Sequence, residues 1–324
     1  MITTVVGNYP KVPSLGNGPN MRTAIGRFDQ GRISAEELDK TIDDASADAI
    51  AEQIQAGVDM VSDGHLRWDD EITYFTRALS GVTLNGLLRF FDSNTYFRQP
   101  IVDGPVSWQG PVTVADFAKA KALSSKPVKT ALPGPYQVAF HCQDKHYGDV
   151  GKLAHAAAEA LNAESLALQA AGASFIQFND PVLLQHKDRF AEYRELARKM
   201  TNGITVTTAL YTYFGDIDGL YPHLFDLPFQ VFGLDFVWGE ANFNLLKSFP
   251  ADKKLGFGIA DARNTKIETI EELVGQVDAI RSVVPLDRLF LNPTCGLEFL
   301  PRTNAYAKLV RLAEAAKRAQ EVLS

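Results

Sequence analysis

A single α/β domain folded as a (β/α)8 TIM barrel is what this sequence predicts, and three observations predict it. Eight short apolar segments rich in β-branched residues are present, longer helical patterns alternate with them, and the chain has 324 residues. That alternation is the mark of a parallel sheet wrapped by helices. A barrel of this type takes about 250 residues before insertions, so one barrel spanning residues 1–324 is expected to carry an elaboration.

The strands are expected at Thr3 to Val6, Met60 to Ser62, Val128 to Leu132, Phe175 to Phe178, Thr205 to Ala209, Gln230 to Leu234, Lys254 to Ile259 and Leu289 to Leu291. Outer helices are expected at Ala35 to Ala56, Leu153 to Ala171, Ile270 to Val284 and Asn304 to Leu323, where apolar residues recur at spacings of three and four. The segment from Leu79 to Gly110 breaks the rhythm. A hairpin around Phe90 to Phe97 makes it an elaborated loop or small cap. Pro and Gly occur in short turns, and no repeat or low-complexity tract is visible.

Hydrophobic residues make up 46% of the chain and charged residues 22%, enough to build a core and too ordered a balance for disorder. The net charge of -7 argues against nucleic acid, whose binding rests on clustered Lys and Arg. No apolar run approaches the length that spans a membrane, and the opening residues Met1 to Gly7 lack a charged region followed by an apolar one. The two cysteines, Cys142 and Cys295, lie too far apart in sequence to suggest a disulfide framework. A cytoplasmic protein with a small-molecule partner is therefore expected, acting with an accessory protein or as a homo-oligomer.

In (β/α)8 barrels the active site forms where strands end, so polar residues just after the expected strands are the candidates. They are Asn8 and Tyr9, His65 and Arg67, Gln177, Asn179 and Asp180, Asp235, Asp261 and Arg263, and Cys295. Thr208 and Tyr211 on the fifth strand and Trp108 beyond the elaboration join the candidate substrate contacts. Turn and cap residues of the same types are common at such places. Asp69-Asp70-Glu71 reads as a helix-start cluster favoured by the helix dipole.

Ordered blocks along the chain carry a resemblance. They are Thr4-Val5-Val6-Gly7-Asn8-Tyr9-Pro10, Ser62-Asp63-Gly64-His65-Leu66-Arg67, Pro100 to Pro111, Ala131-Leu132-Pro133-Gly134-Pro135, Ile176-Gln177-Phe178-Asn179-Asp180-Pro181, Gly258-Ile259-Ala260-Asp261 and Asn292-Pro293-Thr294-Cys295-Gly296-Leu297. In this order they resemble the cobalamin-independent methionine synthases, and most closely the short relatives of the catalytic C-terminal half. The resemblance implies methyl transfer from a 5-methyltetrahydrofolate-type donor to homocysteine, with zinc holding the homocysteine sulfur.

The departures from that pattern are specific. Family His and Cys zinc ligands fall on Thr208 and Leu210, the carboxylate ligand on Asp235, and only Cys295 keeps its type. One thiol and one carboxylate make a poor tetrahedral site, so zinc is disfavoured. A family glutamate that meets an amino group becomes His65, an Asp-Glu pair becomes Asn179-Asp180, and the proton-donating histidine falls near Arg263. Arginine suits anion recognition better than proton transfer.

Two further readings follow. One is a metal-independent lyase or transferase with Asp180, Asp235 or Asp261 as general acid or base and Arg263 holding an anionic substrate. The other is a binding protein or partner subunit without catalysis.

Overall fold

The computed structural model describes residues 1–12, 20–93 and 95–323, with the side chain of Arg22 excluded. The strands are β1 (Ile2–Thr3), β2 (Val82–Arg89), β3 (Tyr96–Val102), β4 (Thr130–Pro133), β5 (Gln143–Asp144), β6 (Phe175–Asn179), β7 (Thr207–Tyr211), β8 (Val231–Asp235), β9 (Lys254–Ala260) and β10 (Leu289–Pro293). The helices are α1 (Met21–Asp29), α2 (Ala35–Gln55), α3 (Glu71–Thr76), α4 (Val114–Leu123), α5 (Pro135–His141), α6 (Val150–Ala170), α7 (Phe190–Thr201), α8 (Ala241–Leu245), α9 (Ile270–Ile280) and α10 (Arg302–Leu323).

Seven strands form one parallel sheet in the order β1-β10-β9-β8-β7-β6-β4. The expected second strand, around Met60 to Ser62, closes the ring through two parallel bridges, Thr4 with Met60 and Val61 with Val128. All eight expected segments therefore take part in the barrel wall. The outer helices start where their sequences provide caps. Ser34 and Glu37 form a capping box for α2, and Thr269 and Glu272 do the same for α9. No helix among the described residues is long and apolar enough to cross a membrane.

The segment expected to elaborate the barrel is an antiparallel hairpin, β2 with β3, extended by β5. Asn94, within the expected turn, lies outside the described residues. The outer strand β2 is solvent-exposed along nearly its whole length, whereas Phe97 of β3 is buried against Ile72 and Phe90. These contacts, and the bonds between Thr73 Oγ1 and the Arg98 backbone, tie the hairpin to α3 beside the barrel mouth.

Candidate active site

Strand alternation decides which side chains enter the barrel. Gln177 on β6 donates to the carbonyl of Val6, at the end of the chain's first barrel segment, which is three strands away around the ring. Gln177 therefore points inward, as do Asn179 on the same strand and their register partners Ala209 and Tyr211 on β7. Thr208 and Leu210 fall on the opposite face of β7, toward the helical layer. Thr208 is buried there, its hydroxyl donating to Gln230 Oε1 at 2.9 Å. The positions matched to the family's His and Cys thus do not enter the site, and their inward neighbours, alanine and tyrosine, bring no strong metal ligand.

A continuous polar network fills the barrel mouth. Lys129 Nζ donates to Gln177 Oε1 at 2.8 Å, and Gln177 Nε2 donates to Asn179 Oδ1 at 2.6 Å. Asn179 Nδ2 donates to Glu71 Oε1 at 2.8 Å, and Gln137 Nε2 donates to Glu71 Oε2 at 2.9 Å. Asn8 Nδ2 bridges the two carboxyls of Glu71 and Glu298, 3.2 Å from each. His65 lies beside this bridge, its Nδ1 2.8 Å from Asn8 Oδ1 and its Nε2 3.1 Å from the Ala131 carbonyl oxygen.

The backbone at Gly64 and His65 adopts left-handed φ values of 70° and 51°. For histidine that conformation is uncommon and costs energy. Its two polar neighbours and a ring stack on Trp68, with centroids 3.8 Å apart, hold it in place. Burial pushes the His65 imidazole down to about 4.

Glu298 has no counterpart among the sequence expectations, and Glu71 is expected there only as part of a helix-start cluster. Glu71 stands beside Asp70, which alone acts as the helix-start residue by accepting from the N–H groups of Ile72 and Thr73. Glu71 turns inward and accepts three side-chain amide donors. Glu298 is different. Burial, and then the proximity of Glu71, pushes its carboxyl up to about 8, and its Oε2 has no hydrogen-bond partner. Two acids with unlike surroundings therefore face one cavity of about 250 Å³, walled also by Asn8, Ile72, Phe90 and Phe97.

Several expected site residues serve other purposes. Asp180 is fully buried and accepts the N–H groups of Tyr136 at 3.0 Å and Gln137 at 2.9 Å and the Tyr193 hydroxyl at 3.1 Å. It anchors the start of α5, where a Cβ on Gly134 would lie 2.2 Å from its carboxylate. Burial raises its pKa to about 7. Arg67 is engaged outside the mouth by Asp39, Asp43 and Asp116. Trp108 donates Nε1–H to Glu164 on α6 at 2.8 Å, packing outside the barrel. Tyr9 contributes to the cavity wall but sends its hydroxyl to Glu52 at 2.8 Å. Tyr211 lies deep in the barrel, its ring 5.1 Å from Lys129 Nζ.

The remaining candidates do reach the mouth. Asp235 Oδ1 accepts the N–H groups of Val237 and Trp238, each at 2.9 Å, and Oδ2 accepts that of Phe214 at 3.2 Å. Burial raises it to about 6. Asp261 accepts the Arg263 N–H at 2.9 Å. Cys295 is fully buried, and burial drives its thiol far above the ordinary range. Among the described residues no group of three or more His, Cys, Asp or Glu side chains is placed to hold a metal ion. With Asp235 occupied by three backbone donors and Cys295 the single sulfur ligand, the donor set does not fit the zinc that this type of barrel would use.

A family profile described as cobalamin-independent synthase, catalytic domain, matches residues 1–318. A methionine synthase of Saccharolobus solfataricus is 30% identical over 99% of this chain and 95% of its own length. One from Sulfurisphaera tokodaii is 31% identical over 99% and 93% respectively. The solved B12-independent methionine synthase of Shewanella sp. W3-18-1, in complex with selenomethionine, superposes with a TM-score of 0.87 at 26% identity, covering 99% of this chain and 98% of that one. The chain is thus a member of the cobalamin-independent methionine synthase family, built on that family's catalytic TIM barrel.

Proposed function

We propose that this protein transfers a methyl group to a small acceptor seated in the barrel mouth, and that it does so without zinc-held thiolate. The reaction class follows from the family, whose curated relatives are methionine synthases. The Shewanella relative is a complex with selenomethionine, which supports a small-molecule acceptor or product for this chain. The observation that carries the departure is the inward face of β7, where Ala209 and Tyr211 replace metal ligands while Asp235 is committed to backbone donors.

In this reading the amide chain of Asn8, Gln177 and Asn179 fixes Glu71, and Glu71 with Glu298 faces the acceptor. In the transfer the acceptor gives its proton to Glu71 as the acceptor–methyl bond forms, the donor–methyl bond breaks, and the donor's leaving atom gains a proton, so that one proton is taken up and one released overall. Glu298, protonated at neutral pH, is placed to supply that proton. Arg263 holds an anionic group of the substrate, with Asp261 bracing its backbone.

The test is isotopically labelled methyl transfer from a 5-methyltetrahydrofolate-type donor to a panel of thiol, amine and hydroxyl acceptors bearing carboxylates. Transfer that survives in Cys295→Ser and is lost in Glu71→Gln supports the reading. A Cys295→Ser protein as inactive as one stripped of an essential ligand would contradict it.

A further inference from the structure

A second cavity of about 390 Å³ lies under the hairpin, with Arg89, Ser93, Thr95, Arg263, Glu298 and Phe299 in its walls. Arg263 follows the end of β9, and its guanidinium lies between two aromatic rings, 4.4 Å from the centre of Trp238 and 5.1 Å from that of Phe214. Its Nη2 donates to the carbonyl of Asp92 at 2.6 Å, and it forms no ion pair among the described residues. The rings fix the planar fork while leaving its charge uncompensated.

Arg89, the last residue of β2, approaches from the hairpin. Its Nε donates to the Ser93 carbonyl, and its Nη2 lies 3.1 Å from the Asp92 carboxylate. Two guanidinium groups against one carboxylate leave a single positive charge when Glu298 carries its proton. That balance suits a monoanion better than a doubly charged phosphate. The inner cavity leans acidic, with Asp69, Asp70 and Glu71 set against the single cation Lys11 in its wall. Thr95 and Glu298 line both cavities, so one extended molecule can occupy the two together.

We propose that the cavity under the hairpin is a carboxylate-binding subsite formed by Arg263 and Arg89, and that the substrate is a monocarboxylate whose opposite, hydrogen-bond-donating end lies at Glu71. The apolar walls Ile72, Phe90 and Phe97 accept the chain between the two ends. This assignment rests on the reading that the mouth holds a small acceptor, and it adds the acceptor's class and orientation.

Binding of 4-hydroxybutanoate, its uncharged amide and inorganic phosphate is measured by calorimetry on the whole protein and on Arg263→Gln, Arg263→Lys and Arg89→Gln. The carboxylate is expected to bind the wild type in preference to the amide and to phosphate. It should weaken about tenfold or more in Arg263→Gln, as a charge-assisted fork contact is lost, and less in Arg89→Gln. Arg263→Lys should recover part of the loss, and the amide should be insensitive to all three changes. Equal carboxylate affinity in wild type and a folded Arg263→Gln protein overturns the subsite, as does tighter binding of the amide or phosphate. Arg89 stands on an exposed strand, so its variant reports binding even where Arg263→Gln fails to fold. Methyl transfer without Arg263-dependent binding sinks the subsite alone, and Arg263-dependent binding without transfer sinks the transferase reading alone.

Discussion

At Glu71 and Glu298 one bridging amide, that of Asn8, serves two carboxyls whose surroundings differ. Glu298 lacks a donor on Oε2, and burial lifts it from 4.5 to about 8. Between those two values the folded chain keeps a proton that the unfolded chain has released. This carboxyl therefore subtracts stability progressively as pH rises through the window, and its full penalty stands above the folded value. Replacing it with the isosteric amide in Glu298→Gln should flatten part of that slope. Thermal unfolding of both proteins between about pH 5 and about pH 9 checks this. Parallel curves would show that Glu298 is ionised in the folded state. Asp63, Asp116, Asp180 and Asp235 are also raised by burial, so the comparison with Glu298→Gln is what isolates the one residue.

The same scale shows why only some of the residues gathered at the mouth were legible in the sequence. Asn8, His65, Gln177, Asn179, Asp235, Arg263 and Cys295 stand at or next to strand ends, where barrel chemistry gathers, and were legible for that reason. Glu71 and Glu298 come from a short helix and a 3-10 turn beyond the strand ends. Nothing local distinguishes Glu71 from Asp70, because the partners that draw it inward are Asn179 and Gln137, far along the chain. Arg67 and Trp108 are the reverse case. Their positions looked functional, and distant partners, Asp116 and Glu164, draw them away.

Among elements, α5 shows a buried acid used for architecture. Asp180 gathers two backbone N–H groups and a tyrosine hydroxyl at the start of this helix. Asp180→Ala strands all three donors in a buried place and should cost about 3 kcal/mol or more, whereas Asp180→Asn, which retains an oxygen acceptor, should cost less. Denaturant unfolding measures the difference. Equal stability of the alanine variant and the wild type would return Asp180 to the list of catalytic candidates. Strand positions were legible from β-branched runs, yet facing was not. Alternation fixes the parity of a strand only once its register with a neighbour is known, and for β7 the inward residues are Ala209 and Tyr211. The hairpin was visible as a break in rhythm, but its role as a wall of two cavities depends on Phe97 and Arg89 meeting α3 and Arg263 in space.

For the whole molecule, a barrel of the methionine synthase family carries a buried polar network at its mouth. Backbone donors hold Asp235, burial pushes the Cys295 thiol above its ordinary range, and amide side chains hold Glu71 where it faces the cavity. Asp235 and Glu71 thus have partners within the protein, whereas Glu298 Oε2 beside them has none. The most direct measurement is zinc content by elemental mass spectrometry, on protein purified without a metal-affinity tag and on its Cys295→Ser variant. Far less than one zinc per chain is expected in both, with methyl transfer unaffected by mild chelation. One zinc per chain that disappears in Cys295→Ser, together with activity lost on chelation, would contradict it.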